Sequence, residues 1–270
     1  MNVEDLTSWD EFRDRVSRLQ ADQEGTQHSN LLFRGQPDSE WPLSTTLERE
    51  SGENVYVRRY HLGLASIQDE LESRIGRSWK VPSYPEFEQL LENGDERETF
   101  FFRLLRDSQL YEYMVYLRHH GFPSPLLDWT GSPYIAAYFA FAKAKPETPI
   151  AIYAYQEYAG HGKGGVTGAS RIEQLGPHVR THARHFQQQA QYTVAIEGQG
   201  REMRYCAHET ALIQSDGEHQ DLMWKFLIPG SDRKRVLQYL QMHNLTAFSL
   251  FGSEESLAET LAIREFTLRD

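Results

Sequence analysis

The chain has a single cysteine among 270 residues, which excludes an internal disulfide and a thiolate zinc cage and fits a reducing compartment. No apolar run approaches the roughly 20 residues that span a bilayer. The opening MNVEDLTSWDEF is acidic and amphipathic, unlike a secretory leader, so the expected location is cytoplasmic, with no membrane partner. Positive charge is also scarce: 28 Lys and Arg stand against 39 Asp and Glu, a formal net charge of −11. A protein that tracks a nucleic-acid backbone needs a basic stripe, so extended nucleic-acid binding is not expected, whereas a local basic pocket for a small anionic ligand stays open. Three catalytic motifs are missing. GHGKGGVTG (160–168) lacks the spacing GxxxxGK[ST] of a phosphate-binding loop, no GxSxG elbow occurs, and no HExxH pattern occurs.

What is present reads as an α+β chain. Ser8 and Glu11 form a capping box for a first helix with Trp9, Phe12, Val16 and Leu19 on one face. LLFRG (31–35) predicts a buried strand, and QPDSEWPLSTTLERE (36–50) an exposed loop anchored by Trp41. Residues 53–118 are mainly helical, broken near WKVPSYP. PLLDWT, PIAIYAYQ, QYTVAI and MWKFLIPG predict strands. Ser132 caps an all-round apolar helix with Pro133 at its first position, and two helices open at Asp232 and Ser253.

Three segments spend polar residues where a core wants apolar ones. In Phe33-Arg34-Gly35-Gln36, an arginine directly after an apolar run presents a bidentate fork suited to phosphate, and Gly35 lets a ligand approach the backbone. The alternative is a buried Arg34 paired with an acid such as Asp128. In Leu126–Pro133, Asp128, Trp129, Thr130 and Ser132 crowd a helix N-terminus, where free N–H groups favour a phosphate or ribose. The alternative is plain capping by Ser132, with Asp128 bonding nearby N–H groups. In Arg184–Thr193, glutamines precede a strand and can hydrogen-bond a ribose or an amide; downstream, His208-Glu209 offers a carboxylate as acid, base or cation stabiliser, or else a surface pair. His178, His182 and His185 would share a helical face, which keeps a metal-dependent nuclease or hydrolase as an alternative, although no metal is expected.

FRG at 33–35, the following Trp41 and LSTTLERE, LRHHGFPSPLLDWTGSPYIAAYFA (117–140), ARHFQQQAQYT (183–193), KFLIPGSDRKRVLQYLQMHNLTAFSLF (225–251) and SEESLAETLA together resemble the FRG domain family. The resemblance implies an N-terminal helix over 1–24, an FRG domain over 25–262 with a helical insertion at 53–118, and a tail at 263–270. A second resemblance is to mono-ADP-ribosyltransferases. Phe33-Arg34-Gly35 is similar to their aromatic-Arg-Gly motif, and Asp128-Trp129-Thr130 with Ala136 and Phe139 to their Ser-Thr-Ser strand and helix. Gln187-Gln188-Gln189 is similar to the third motif, but without its glutamate.

This likeness implies a single domain with a central, mostly antiparallel and split sheet, and NAD as substrate. Arg34 would pin the pyrophosphate. His119, His120, Asp128 and Thr130 would hold the ribose and nicotinamide side, and an acid, Glu209 if it substitutes from elsewhere, would stabilise the oxocarbenium as the nicotinamide bond breaks. The implied catalytic set is Arg34, Asp128, Thr130, Gln189 and Glu209; the implied ligand-binding set is Arg34, Gly35, Gln36, His119, His120, Trp129, Ser132 and Arg184. The acceptor is left open among protein, nucleic acid and water, and a toxin or anti-phage effector is the implied setting. A module that binds or senses a nucleotide without chemistry is the alternative of a different class.

Overall fold

The structure, a computed structural model, describes residues 1–22, 28–52, 55–92, 97–158, 170–199, 202–213 and 221–269. The glycine-rich segment GHGKGGVTG (160–168) lies outside them.

The chain opens with a short strand, β1 (Asn2–Asp5), before the first helix, α1 (Trp9–Ala21). Ser8 caps α1, accepting from the Glu11 amide at 3.4 Å, and Trp9, Phe12, Val16 and Leu19 are its buried face. The other strands are β2 (Leu32–Gln36), β3 (Leu127–Thr130), β4 (Ile150–Gln156), β5 (Arg171–Gln174), β6 (Ala190–Gln199), β7 (Glu202–Tyr205) and β8 (Leu222–Ile228). Among the described residues they form one sheet in the order β1-β8-β4-β2-β3-β6-β5, with β7 on β6. All pairings are antiparallel except β1 with β8, so the α+β fold with a mostly antiparallel sheet holds.

Between β2 and β3 come α2 (Thr46–Ser51), α3 (Val57–Ile75), α4 (Tyr84–Glu92), α5 (Arg97–Asp107) and α6 (Leu110–His119). Then follow α7 (Pro133–Phe141), α8 (Ala183–Gln187), α9 (His208–Ile213), α10 (Arg233–Met242), α11 (Ala247–Phe251) and α12 (Glu254–Ile263). A π-helical turn, Arg264–Leu268, continues α12.

Side-chain alternation divides the core between the two faces of the sheet. On one face, Phe33, Ile152 and Phe226 pack under α1, α7 and α10, while Tyr192, Val194 and Ile196 pack under α3, α5 and α6. On the other face lie Leu32, Leu127, Trp129, Tyr153 and Tyr155, covered by Leu43 and by Ala211 of α9. Two details of 36–50 depart from the sequence reading. Its end is helical, because Thr45 and Glu48 make a capping box for α2. Trp41 is 53% exposed and anchors nothing; the loop is held by buried Leu43 and by Gln36, whose Nε2 donates to the Pro42 carbonyl at 3.2 Å.

The middle of the sheet is its weakest seam. β2 pairs with β4 along all of Leu32–Gln36 but meets β3 at one position, Phe33 opposite Thr130. Beyond that pair the two strands part. At Gly35, α7 fills the space where a side chain would go: a Cβ there would stand 1.9 Å from the Ala136 carbonyl oxygen and 2.8 Å from the Ala140 nitrogen. The glycine lets helix and strand backbones touch. Gly35→Ala is therefore expected to cost at least about 3 kcal/mol, read as a fall in the denaturant midpoint; a loss below about 1 kcal/mol would show that α7 is not seated on β2 as described.

Candidate functional site

Arg34 leaves β2 on the face of Leu32, and its guanidinium lies at the parting of β2 and β3. Its Nη1 donates to the backbone carbonyl of Asp128 at 2.9 Å. Its Nε is buried and has no hydrogen-bond partner. Burial draws the guanidinium pKa down to about 10, with Asp128 opposing that shift, so the group stays charged at neutral pH. Among the described residues no carboxylate pairs with it. The simple alternative of an Arg34–Asp128 ion pair does not hold, because Asp128 is taken: Arg118 of α6 grips its carboxylate through Nε and Nη2.

Asp128 therefore belongs to a different cluster. It points to the opposite face, beside its register partner Tyr192. Burial alone would raise its pKa, but Arg118, Arg34 and His119 together hold it below the usual carboxylate range. Arg118 also donates to Thr46 Oγ1 at 3.1 Å, which ties α6 to α2. His119 ends α6, with its Nε2 3.0 Å from the Tyr192 hydroxyl, and Arg184 of α8 donates to the His119 carbonyl at 2.7 Å. Arg118, Arg34 and His119 thus act on one acid in a chain of net charge −11, with Arg184 held one step away on the His119 carbonyl. His119 is kept neutral, its pKa lowered to about 4 by burial and by Arg184.

The Arg34 face holds residues that the sequence reading missed. Register sets Lys225, Tyr153 and Arg34 side by side across β8, β4 and β2. The Lys225 ammonium stands 5.5 Å from the centre of the Tyr153 ring. Glu209, in the first turn of α9, acts electrostatically on Tyr153 together with Arg34. Its neighbour His208 is fully buried, with Nε2 2.7 Å from Thr193 Oγ1. Burial and Arg34 press its pKa down to about 3. Position parity was the available signal for Tyr153 and Lys225: each is an alternate residue of an otherwise apolar strand.

The residues expected to line one cavity are divided. Trp129 is a core residue on the Arg34 side, its indole N–H donating to Thr193 Oγ1 at 2.8 Å, and it offers no edge to a ligand. Thr130 faces away from Arg34 and donates to the Gln188 carbonyl at 2.7 Å. Ser132 is the cap of α7. Gln189 takes a left-handed conformation (φ 47°), accepting the Gly131 amide through its carbonyl, so the glutamine turn is latched to the start of α7 rather than to Arg34. Gln36 supports its loop, and its Oε1 is left without a partner. His120 is exposed and packs on Tyr116. Glu209 and Arg34 each act electrostatically on Tyr153; Asp128 and His119 lie across the sheet, with Arg184 on the His119 carbonyl. The three histidines do not share a helical face: α8 begins at Ala183, His182 is its cap, and His178 precedes it. Among the described residues no group of three or more His, Cys, Asp or Glu is placed to hold a metal ion. No helix among them is long and apolar enough to cross a membrane.

His61, like His119 and His208, has a pKa far below 6.5, at about 4, chiefly through burial. These folded-state values lie beneath the unfolded one, so between pH 6.5 and about 4 for His61 and His119, and down to about 3 for His208, the unfolded chain binds more protons. Stability should therefore fall as pH drops through that window, by up to about 1.4 kcal/mol per pH unit for each such histidine, and level off below it. Denaturant midpoints from pH 7.5 to 4.5 test this; a flat profile would contradict the neutral, buried state of these rings.

Residues 29–148 match the FRG domain family, a span that runs from before β2 to the threshold of β4. It takes in Arg34, Arg118, His119 and Asp128 and leaves out Tyr153, Arg184 and His208. No curated protein and no solved structure matches the chain. With Arg34 and Gly35 of its Phe-Arg-Gly segment at the heart of the sheet, the chain carries an FRG domain at residues 29–148.

Proposed function

We propose that this FRG domain protein binds a phosphorylated nucleoside, NAD foremost, where β2 and β3 part, and breaks its nicotinamide glycosidic bond. One observation carries the reading: Arg34 is a half-buried guanidinium with a buried free Nε and no acid partner. A charge withdrawn from water needs a counter-charge. With Asp128 committed to Arg118, a ligand phosphate is the group that answers it, in the geometry that suits guanidinium best.

Glu209, which shares Tyr153 with Arg34, is the carboxylate available on that face. In the proposed step the C1′–N bond breaks and nicotinamide leaves with the bonding pair. The carboxylate of Glu209 steadies the oxocarbenium, and water or an acceptor nucleophile adds to C1′ and gives up its proton. The second reading, binding without turnover, is favoured by the commitment of Asp128 to Arg118, which removes a second carboxylate from the chemistry.

Incubation with NAD and measurement of released nicotinamide separates the two. Turnover that falls at least 100-fold in Arg34→Ala and in Glu209→Gln supports the enzyme. Thermal stabilisation by intact NAD, lost in Arg34→Ala but kept in Glu209→Gln, supports the binding module. Neither release nor stabilisation in the wild type would defeat both.

A further inference from the structure

Beside Arg34, two fully buried side chains have hydrogen-bonding capacity that nothing uses: Tyr153 through its hydroxyl and His208 through Nδ1. Both face Arg34. Tyr153 is its register partner, and the arginine's charge bears on each of them.

The neighbours of His208 settle what its Nδ1 is. The indole N–H of Trp129 can only donate, and it donates to Thr193 Oγ1 at 2.8 Å. The Thr193 oxygen lies 2.7 Å from His208 Nε2. If the hydroxyl hydrogen goes to Nε2, the indole N–H, the threonine hydroxyl and Nε2 are all matched, and the single ring proton of the neutral imidazole sits on Nδ1, the one group left without a partner. The other tautomer would strand both the threonine hydrogen and the Nδ1 lone pair inside the core, a cost that native interiors avoid. Trp129, Thr193 and His208 thus form a relay of fixed direction ending in an N–H donor.

We propose that His208 Nδ1–H and the Tyr153 hydroxyl form a neutral donor pair that holds an uncharged oxygen of the nucleoside part of the ligand, next to the phosphate bound by Arg34. This rests on the reading of Arg34 given above. Division of labour follows from charge. Arg34 supplies the cation a phosphate requires, whereas two neutral donors suit a sugar or carbonyl oxygen. Cationic His208 is disfavoured both by burial and by the guanidinium beside it. The relay also gives Trp129 a role that its burial hides: it acts at second hand, by setting the tautomer.

The test compares two probes by calorimetric titration, inorganic pyrophosphate and ADP-ribose, against the wild type and four variants. Arg34→Ala should weaken both probes. Tyr153→Phe, which removes one oxygen atom, and His208→Gln, whose amide is directed toward Thr193, should weaken ADP-ribose by roughly 3- to 10-fold and leave pyrophosphate within about twofold. His208→Asn, whose amide nitrogen stands near the place of Nδ1, should restore ADP-ribose affinity relative to His208→Gln. Nitrogen-15 spectra of the ligand-free protein should show His208 protonated on Nδ1. If the wild type binds neither probe, the reading of Arg34 fails and the donor pair falls with it. If it binds both and Tyr153→Phe with His208→Gln affects neither probe or both alike, the donor pair alone is overturned. An Nε2–H tautomer overturns it as well.

Discussion

A half-buried guanidinium without a carboxylate partner is the constraint around which this protein is organised. Arg34 stands where two central strands part, with one hydrogen bond to a backbone carbonyl and its Nε unused. Taking an ion out of water costs several kcal/mol unless its charge is answered. The nearest acid, Asp128, answers it only through its field, because its carboxylate is hydrogen-bonded to Arg118 on the other side of the sheet. The fold therefore keeps a half-buried cation without a carboxylate hydrogen-bonded to it among the described residues.

The rest of the fold holds that cation in place. β4 pairs with β2 along its full length and sets the direction of Arg34. α7 lies so close to β2 that position 35 tolerates no side chain, which fixes the height of the strand. The single pair between Phe33 and Thr130 leaves the neighbouring backbone open for the guanidinium to enter. Across the sheet, Arg118 ties Asp128 to α6 and α2, so the other side of the opening is equally rigid. Buried groups around the arginine are neutral histidine and tyrosine, which add hydrogen-bonding direction without adding charge.

Much of this was legible in the residues. The Ser8 cap and its apolar stripe, the Ser132-Pro133 start of α7 and the long apolar strands are local signals, and they appear where the pattern puts them. β1, β5 and β7 were not legible, because four-residue strands such as NVED and EMRY carry too little alternation to register and are held by pairing alone. The site was half legible. Arg34 stands out because a charge follows an apolar run. The trio at 128–130 misled, because consecutive residues of a strand point to opposite faces and cannot line one wall. Tyr153 and Lys225 carried a parity signal on their own strands, but only register set them beside Arg34. Arg118 had no local mark, since its partner is brought to it by the sheet.

The most direct measurement is a crystal structure of the protein soaked with ADP-ribose. The account predicts a phosphate oxygen at about 2.9 Å from Arg34 Nε, with Asp128 still held by Arg118. A ligand bound away from β2, or an Arg34 closed onto a carboxylate of the chain, would contradict it.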